Sequence, residues 1–122
     1  MLGDVYKTEI YELAKFINKD SQIIPQNSIT KPPSAELKPG QKDSDSLPEY
    51  HLLDPILYMY IEHRLGPQEI IRMGYDEALV RRVLKLVNSS EFKRHQTAPV
   101  IRVSPKAFGV GRRMPIVGKY LT

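Results

Sequence analysis

The sequence predicts a mainly α chain, with three main helices, a short connecting helix and long loops. Three observations lead there. Apolar residues recur at helical spacing in three places, Gly and Pro punctuate the intervals between them, and one long stretch is too poor in apolar residues to fold by itself. That stretch, residues 30–48, reads TKPPSAELKPGQKDSDSLP, and Ala35, Leu37 and Leu47 are its only aliphatic side chains. A chain of this kind cannot order itself by burying its own surface.

The first helix is expected after Asp4, a candidate cap, with Ile10, Leu13, Ala14 and Ile17 on one face and an end near Lys19. Residues 22–30, QIIPQNSIT, allow at most a short edge strand, because Pro25 stops the β-branched pair. From about His51 the positions Leu53, Ile56, Leu57, Tyr60 and Ile61 step as a second helix, with Pro55 expected in its first turn, where its missing N–H costs little. Gly66-Pro67 ends that helix and opens a short one through Ile70 and Ile71. Gly74 reads as a C-terminal cap and Asp76 as an N-terminal cap. A third long helix then buries Leu79, Val80, Val83, Leu84 and Val87, turns Arg81, Arg82 and Lys85 outward, and is expected to run to about Arg94. Residues 98–122 read as an irregular basic tail, within which VIRVSP is an extended segment. Loops this long are usually functional or belong to something larger.

Composition narrows the function. The 122 residues contain no cysteine, which removes disulfides and thiolate metal sites and suits a reducing compartment. No apolar run is long enough to span a bilayer, and the acidic residues among the first twenty do not fit a signal peptide, so a cytoplasmic location is expected. The net charge of +4 hides an asymmetry. Residues 1–80 carry eight basic and thirteen acidic side chains, whereas residues 81–122 carry ten basic and one acidic. A basic third of this kind suits an anionic partner such as nucleotide phosphates, a nucleic acid or an acidic surface; a solvated helix face with a basic tail is the plainer explanation.

Several local patterns carry candidate chemistry. EIIRMGYDEALVRRVL has the layout of a helix-turn-helix, a DNA-binding alternative, although any tight helix hairpin needs a glycine or a cap at its turn. Lys7 stands in the first turn of a helix, where free N–H groups and the helix dipole favour an anion. Lys93, Arg94 and His95 cluster where the third helix ends, and there cations complement the dipole without any ligand. His51 and His63 lie too far apart in sequence to suggest a metal site, and neither a nucleophile motif nor a phosphate-binding glycine loop occurs.

Beyond these patterns, GDVYKTEIYELAKFIN, IIPQNSITKPPSAELKPGQKDSDSLPEYHLLDPIL and EFKRHQTAPVIRVSPKAFGVGRRMPI, in that order, resemble the C-terminal part of glutamine-dependent NAD synthetases. The resemblance implies a piece of an α/β adenine-nucleotide α-hydrolase-like domain. It also implies a chemistry: ATP and magnesium adenylate the nicotinate carboxylate of deamido-NAD, and ammonia from an N-terminal nitrilase-type amidase domain displaces AMP. Carried over residue by residue, it makes Lys7 and Ser34 ATP contacts and Lys93 a deamido-NAD contact. Phe92 departs from the His-Lys pair of the ammonia-dependent relatives, and Asp43 and Asp45 fall in a loop that closes over the reacting groups. Residues 30–48 become an active-site lid, with 38–47 mobile when nothing is there to close on. The SGGxDS phosphate loop and the amidase domain of that family are not in this sequence. The chain is therefore expected to be a portion that makes no NAD alone, to have the rest of the synthetase as its partner, and to cover the apolar face of its first helix by other helices or by self-association.

Overall fold

The structure, a computed structural model, describes residues 2–31, 47–94, 96–106 and 115. Among them the chain forms six helical segments and no strand: α1 (Lys7–Ile17), α2 (Gln26–Thr30), α3 (Tyr50–Ile61), α4 (Pro67–Arg72), α5 (Glu77–Ser89) and α6 (Glu91–Arg94). The three long helices and the short connector fall where apolar spacing placed them.

The core forms around α3, which packs against α1, α4 and α5, while α5 also packs on α4 and α6. Ile56 of α3, Ile70 of α4, and Val80, Val83 and Leu84 of α5 are fully buried, with Leu53 and Met59 beside them. On α5 the buried positions recur at three- and four-residue intervals. Such a stripe can be removed from water only against another apolar face, and α3 supplies it. Arg81, Arg82 and Lys85 face outward, as the same spacing requires.

The turn between α4 and α5 is built from local chemistry. Glu69 Oε2 accepts the Gly66 N–H at 2.7 Å, which closes the start of α4, where Pro67 needs no hydrogen bond. Gly74, just past the last turn of α4, adopts φ +100°, a conformation that L side chains rarely take. Asp76 Oδ2 then accepts the Leu79 N–H at 2.8 Å and caps α5.

Three local expectations need correction, and two are sharpened. Asp4 does not cap α1; the helix starts at Lys7 with Tyr6 at the capping position, because the Asp4 carboxylate is recruited by Val103 and Ser104 far along the chain. The same helix ends at Ile17, closed by Asn18, next to the end near Lys19 that the spacing gave. No edge strand forms in 22–30, since the Asn18 side chain takes the amides of Ile23 at 3.0 Å and Ile24 at 2.8 Å and donates to the Ile24 carbonyl. Those groups are no longer available to a ladder, and after Pro25 the chain turns into α2. Because α3 begins at Tyr50, Pro55 lies inside the helix rather than in its first turn, and the helix forgoes one internal hydrogen bond there. Finally, α5 stops at Ser89, and residues 91–94 form the separate short turn α6.

Leu84→Ala is expected to lower unfolding free energy by about 2–5 kcal/mol in denaturant titration, since it opens a cavity at a fully buried site. Arg64, exposed after α3, sits at φ 58° in the left-handed region. Arg64→Gly is expected to raise stability by about 0.5–1 kcal/mol in the same assay, because glycine carries no Cβ clash in that conformation.

Candidate functional site

The first turn of α1 is held by carboxylates from two helices. A helix start leaves four amides without partners in the helix backbone, and side chains or other groups must satisfy them. Here Glu9 Oε2 accepts the Tyr6 N–H at 2.9 Å, and Asp54 Oδ2, from the middle of α3, accepts the Thr8 N–H at 2.8 Å. The amides on either side of Lys7 are thus held by carboxylates. Lys7 itself is half-buried, with its Nζ 5.4 Å from the centroid of the Tyr11 ring, a cation–π arrangement.

Just before this turn, Asp4 binds residues 103–104. Its Oδ2 accepts the N–H groups of Val103 and Ser104, each at 2.7 Å, and its Oδ1 accepts the Ser104 hydroxyl at 3.0 Å. The Lys106 N–H donates to Glu62 Oε2 at 3.2 Å, and the Arg102 guanidinium folds back on the carbonyls of Ser104 and Pro105. The described beginning of the basic tail is therefore anchored by two acids from the acidic part of the chain.

Tyr6 stands among these acids. Its half-buried ring meets Tyr58 edge-on at 6.1 Å, and Tyr58 meets His63 in the same manner at 4.8 Å. Burial pushes the Tyr6 phenol well above its ordinary value, and the negative charges of Glu62, Glu9, Asp54 and Asp4 push in the same direction.

Lys93, on α6, is exposed, and so is its neighbour Phe92. No broad contact joins α1 to α6; the two are linked through α3 and α5. Ser34, Asp43 and Asp45, with the whole of 32–46, lie outside the described residues, as do His95 and most of the tail beyond Lys106. Among the described residues no group of three or more His, Cys, Asp or Glu side chains is placed to hold a metal ion. None of the described helices is long and apolar enough to cross a membrane. The helix-turn-helix layout is present as α4–Gly74–α5, but Arg81 is turned back on Glu77 at 2.7 Å.

Sequence reasoning missed Asp54, Glu9 and Glu62, and it gave Asp4 the wrong partner. One signal was available for Asp54: it is the only charged residue in HLLDPILYMYI, a run whose other side chains are almost all apolar.

These helices, with this order of motifs, have known counterparts. The chain belongs to the NAD synthase family, whose model matches residues 1–97. Its relatives lie in the glutamine-dependent branch. It is 51% identical over 115 residues to the glutamine-dependent NAD(+) synthetase of Synechocystis sp. and 50% identical over 119 residues to that of Acinetobacter baylyi. These alignments take in 94% and 96% of this chain but only 21% and 22% of the relatives, so it spans about a fifth of their length. Among solved structures it is similar to glutamine-dependent NAD+ synthetase from Acinetobacter baumannii in complex with ADP, at 42% identity and a TM-score of 0.56, over 93% of this chain and 19% of that one. No comparison favours a DNA-binding module.

The raised phenol has a consequence at high pH. In the unfolded chain tyrosine loses its proton near about pH 10, whereas folded Tyr6 retains it, so above that pH the folded state binds more protons than the unfolded one. Its contribution to stability is complete below about pH 10 and is lost as the pH rises further. Denaturant titrations on either side of that pH are expected to show a smaller alkaline loss of stability for Tyr6→Phe than for the unaltered chain.

Proposed function

We propose that this chain works as part of a glutamine-dependent NAD synthetase and contributes contacts to its two phosphate-bearing substrates. The observation that carries the proposal is the match along nearly the whole chain to enzymes of that name, one of them solved with ADP. In the reaction so assigned, a carboxylate oxygen of deamido-NAD attacks the α-phosphorus of ATP and pyrophosphate leaves. Ammonia released from glutamine by an amidase domain then attacks the acyl carbon, and AMP leaves as the amide of NAD forms. Catalysis of this kind rests on holding the two reactants in line and stabilising charge on phosphate oxygens.

Lys7 is assigned to ATP. Its place on a helix tied at both flanking amides supports this, since a lysine on a fixed turn loses little freedom when it binds an anion. The dipole of α1 is largely used by Asp54, so the phosphate would be held by the ammonium rather than by the Thr8 amide. Ser34 is assigned a hydrogen bond to ATP through its hydroxyl, and residues 30–48 the role of a lid that keeps water from the acyl-adenylate. Exposed Lys93 is assigned to deamido-NAD. Magnesium serves the ATP step, and the described residues of this chain are given no part in holding it.

The rest of the synthetase is the partner that this reading requires. Leu13, Phe16 and Ile17 of α1 are exposed at 42%, 73% and 37%, together with Ile23 at 68%. An apolar stripe of this kind supports packing against further structure or against another copy of the chain. The chain alone is accordingly expected to form no NAD from deamido-NAD, ATP and ammonia.

The test uses the complete synthetase containing this sequence. Lys93→Ala is expected to raise KM for deamido-NAD about tenfold or more while KM for ATP stays within about twofold, as loss of one charge-assisted hydrogen bond predicts. Lys7→Ala is expected to do the reverse. An unchanged KM for the assigned substrate in either variant rules out that assignment.

A further inference from the structure

We propose that Asp54 is a positioning residue for the nucleotide: from α3 it holds the first turn of α1, and thereby sets where Lys7 presents its charge. This rests on the reading of Lys7 as an ATP contact and goes beyond it, because Asp54 acts from another helix and needs no contact with substrate.

The argument begins with burial. Asp54 is only 6% exposed, in the interior of a helix whose neighbouring side chains Leu53 and Ile56 belong to the core. A carboxylate in such a place is costly unless its charge is met, so its partner is part of the design. That partner is the Thr8 N–H, at 2.8 Å and 46 residues away in sequence, immediately after Lys7. At the start of α1 the carboxylate also meets the positive end of the helix dipole. Glu9 serves only the amide of Tyr6 from within α1, so the Thr8 amide still needs a partner, and Asp54 supplies it.

The two bonds differ in what they fix. The Glu9 bond lies within one turn and moves with α1, so it shapes the helix start without locating it. The Asp54 bond runs between helices and ties the backbone next to Lys7 to α3, the helix on which the core is assembled. It also occupies the Thr8 amide, which would otherwise invite an anion onto the helix axis. A phosphate approaching this turn therefore meets the Lys7 ammonium, displaced toward the Tyr11 ring, instead of the Thr8 amide. Asp54 thus sets where Lys7 stands and removes the Thr8 amide from the donors open to the ligand.

The test is a kinetic cycle in the complete synthetase with Asp54→Asn, Asp54→Glu, Lys7→Ala and the Lys7→Ala/Asp54→Asn double variant. Asp54→Asn is expected to raise KM for ATP about tenfold, and Asp54→Glu, whose carboxylate is displaced by one methylene, about threefold, with KM for deamido-NAD within about twofold in both. If Asp54 acts through Lys7, the double variant has the same KM for ATP as Lys7→Ala alone. A folded Asp54 variant with unchanged KM for ATP overturns the proposal, as does an equal rise in both KM values, which is what a merely structural role produces. Multiplying effects in the double variant overturn it as well. If the Asn variant does not fold, the charge-preserving Glu variant decides by the same criteria. An unchanged KM for ATP in Lys7→Ala refutes the reading of Lys7, and with it this extension; a raised value there beside an unchanged one in the Asp54 variants refutes the extension alone.

Discussion

Helix α3 has to be buried on several sides at once, and most of the described structure follows from that requirement. Its residues Leu53, Ile56 and Met59 meet α4 and α5 in the core, and its partly buried positions extend the contact outward. A small chain has little apolar area to hide, so a single helix serving several interfaces is an economical way to hide it. The tight turn at Gly74 and the caps at Gly66 and Asp76 bring α4 and α5 onto α3 within a short length of chain. The polar side of the same helix matters as well, because Asp54 and Glu62 project from it or just beyond it to organise α1 and the segment near Lys106.

The acids around Tyr6 have a physical logic. Asp4, Glu9, Asp54 and Glu62 are like charges gathered in one region, an arrangement that is unfavourable by itself. Each accepts at least one backbone N–H: Tyr6 and Thr8 at the start of α1, and Val103, Ser104 and Lys106 in the tail. Amides that would otherwise need water are used to offset the repulsion, and segments distant in sequence are joined as a result. The acidic part of the chain and the described beginning of its basic tail are thus connected by backbone amides meeting carboxylates. The Lys15–Glu12 and Arg81–Glu77 ion pairs are exposed and local, and contribute little.

Much of the fold was legible because helices announce themselves by spacing. The stripe Leu79, Val80, Val83, Leu84 and Val87 specifies one face of one helix, and Gly74 and Asp76 mark the boundary before it; all of these fall as read. One error came where a local rule met a distant competitor, and one allowance was closed by a nearby side chain. Asp4 has the composition and position of a cap, but Val103 and Ser104 compete for its carboxylate. Ile23 and Ile24 have strand-forming side chains, but the Asn18 side chain claims their amides first. Of the assigned site residues, Lys7 and Lys93 came from a match of motifs, and the structure adds what the motif cannot hold, the carboxylates that hold the turn around Lys7.

By itself the sequence determined the helical class, the places of the three long helices, the turn chemistry and the family, since all of these reside in residue types at short spacing. Tertiary structure alone decided where Asp4, Asp54 and Glu62 find their amides, whereas Glu9 meets Tyr6 within one turn. A carboxylate at position 4, 54 or 62 carries no local mark of its partner, and only the packing of α1 against α3 brings Asp54 to Thr8 across 46 residues. The physical reason is the range of the interactions: periodic burial is written into neighbouring residues, whereas a hydrogen bond between helices exists only after the apolar faces have docked.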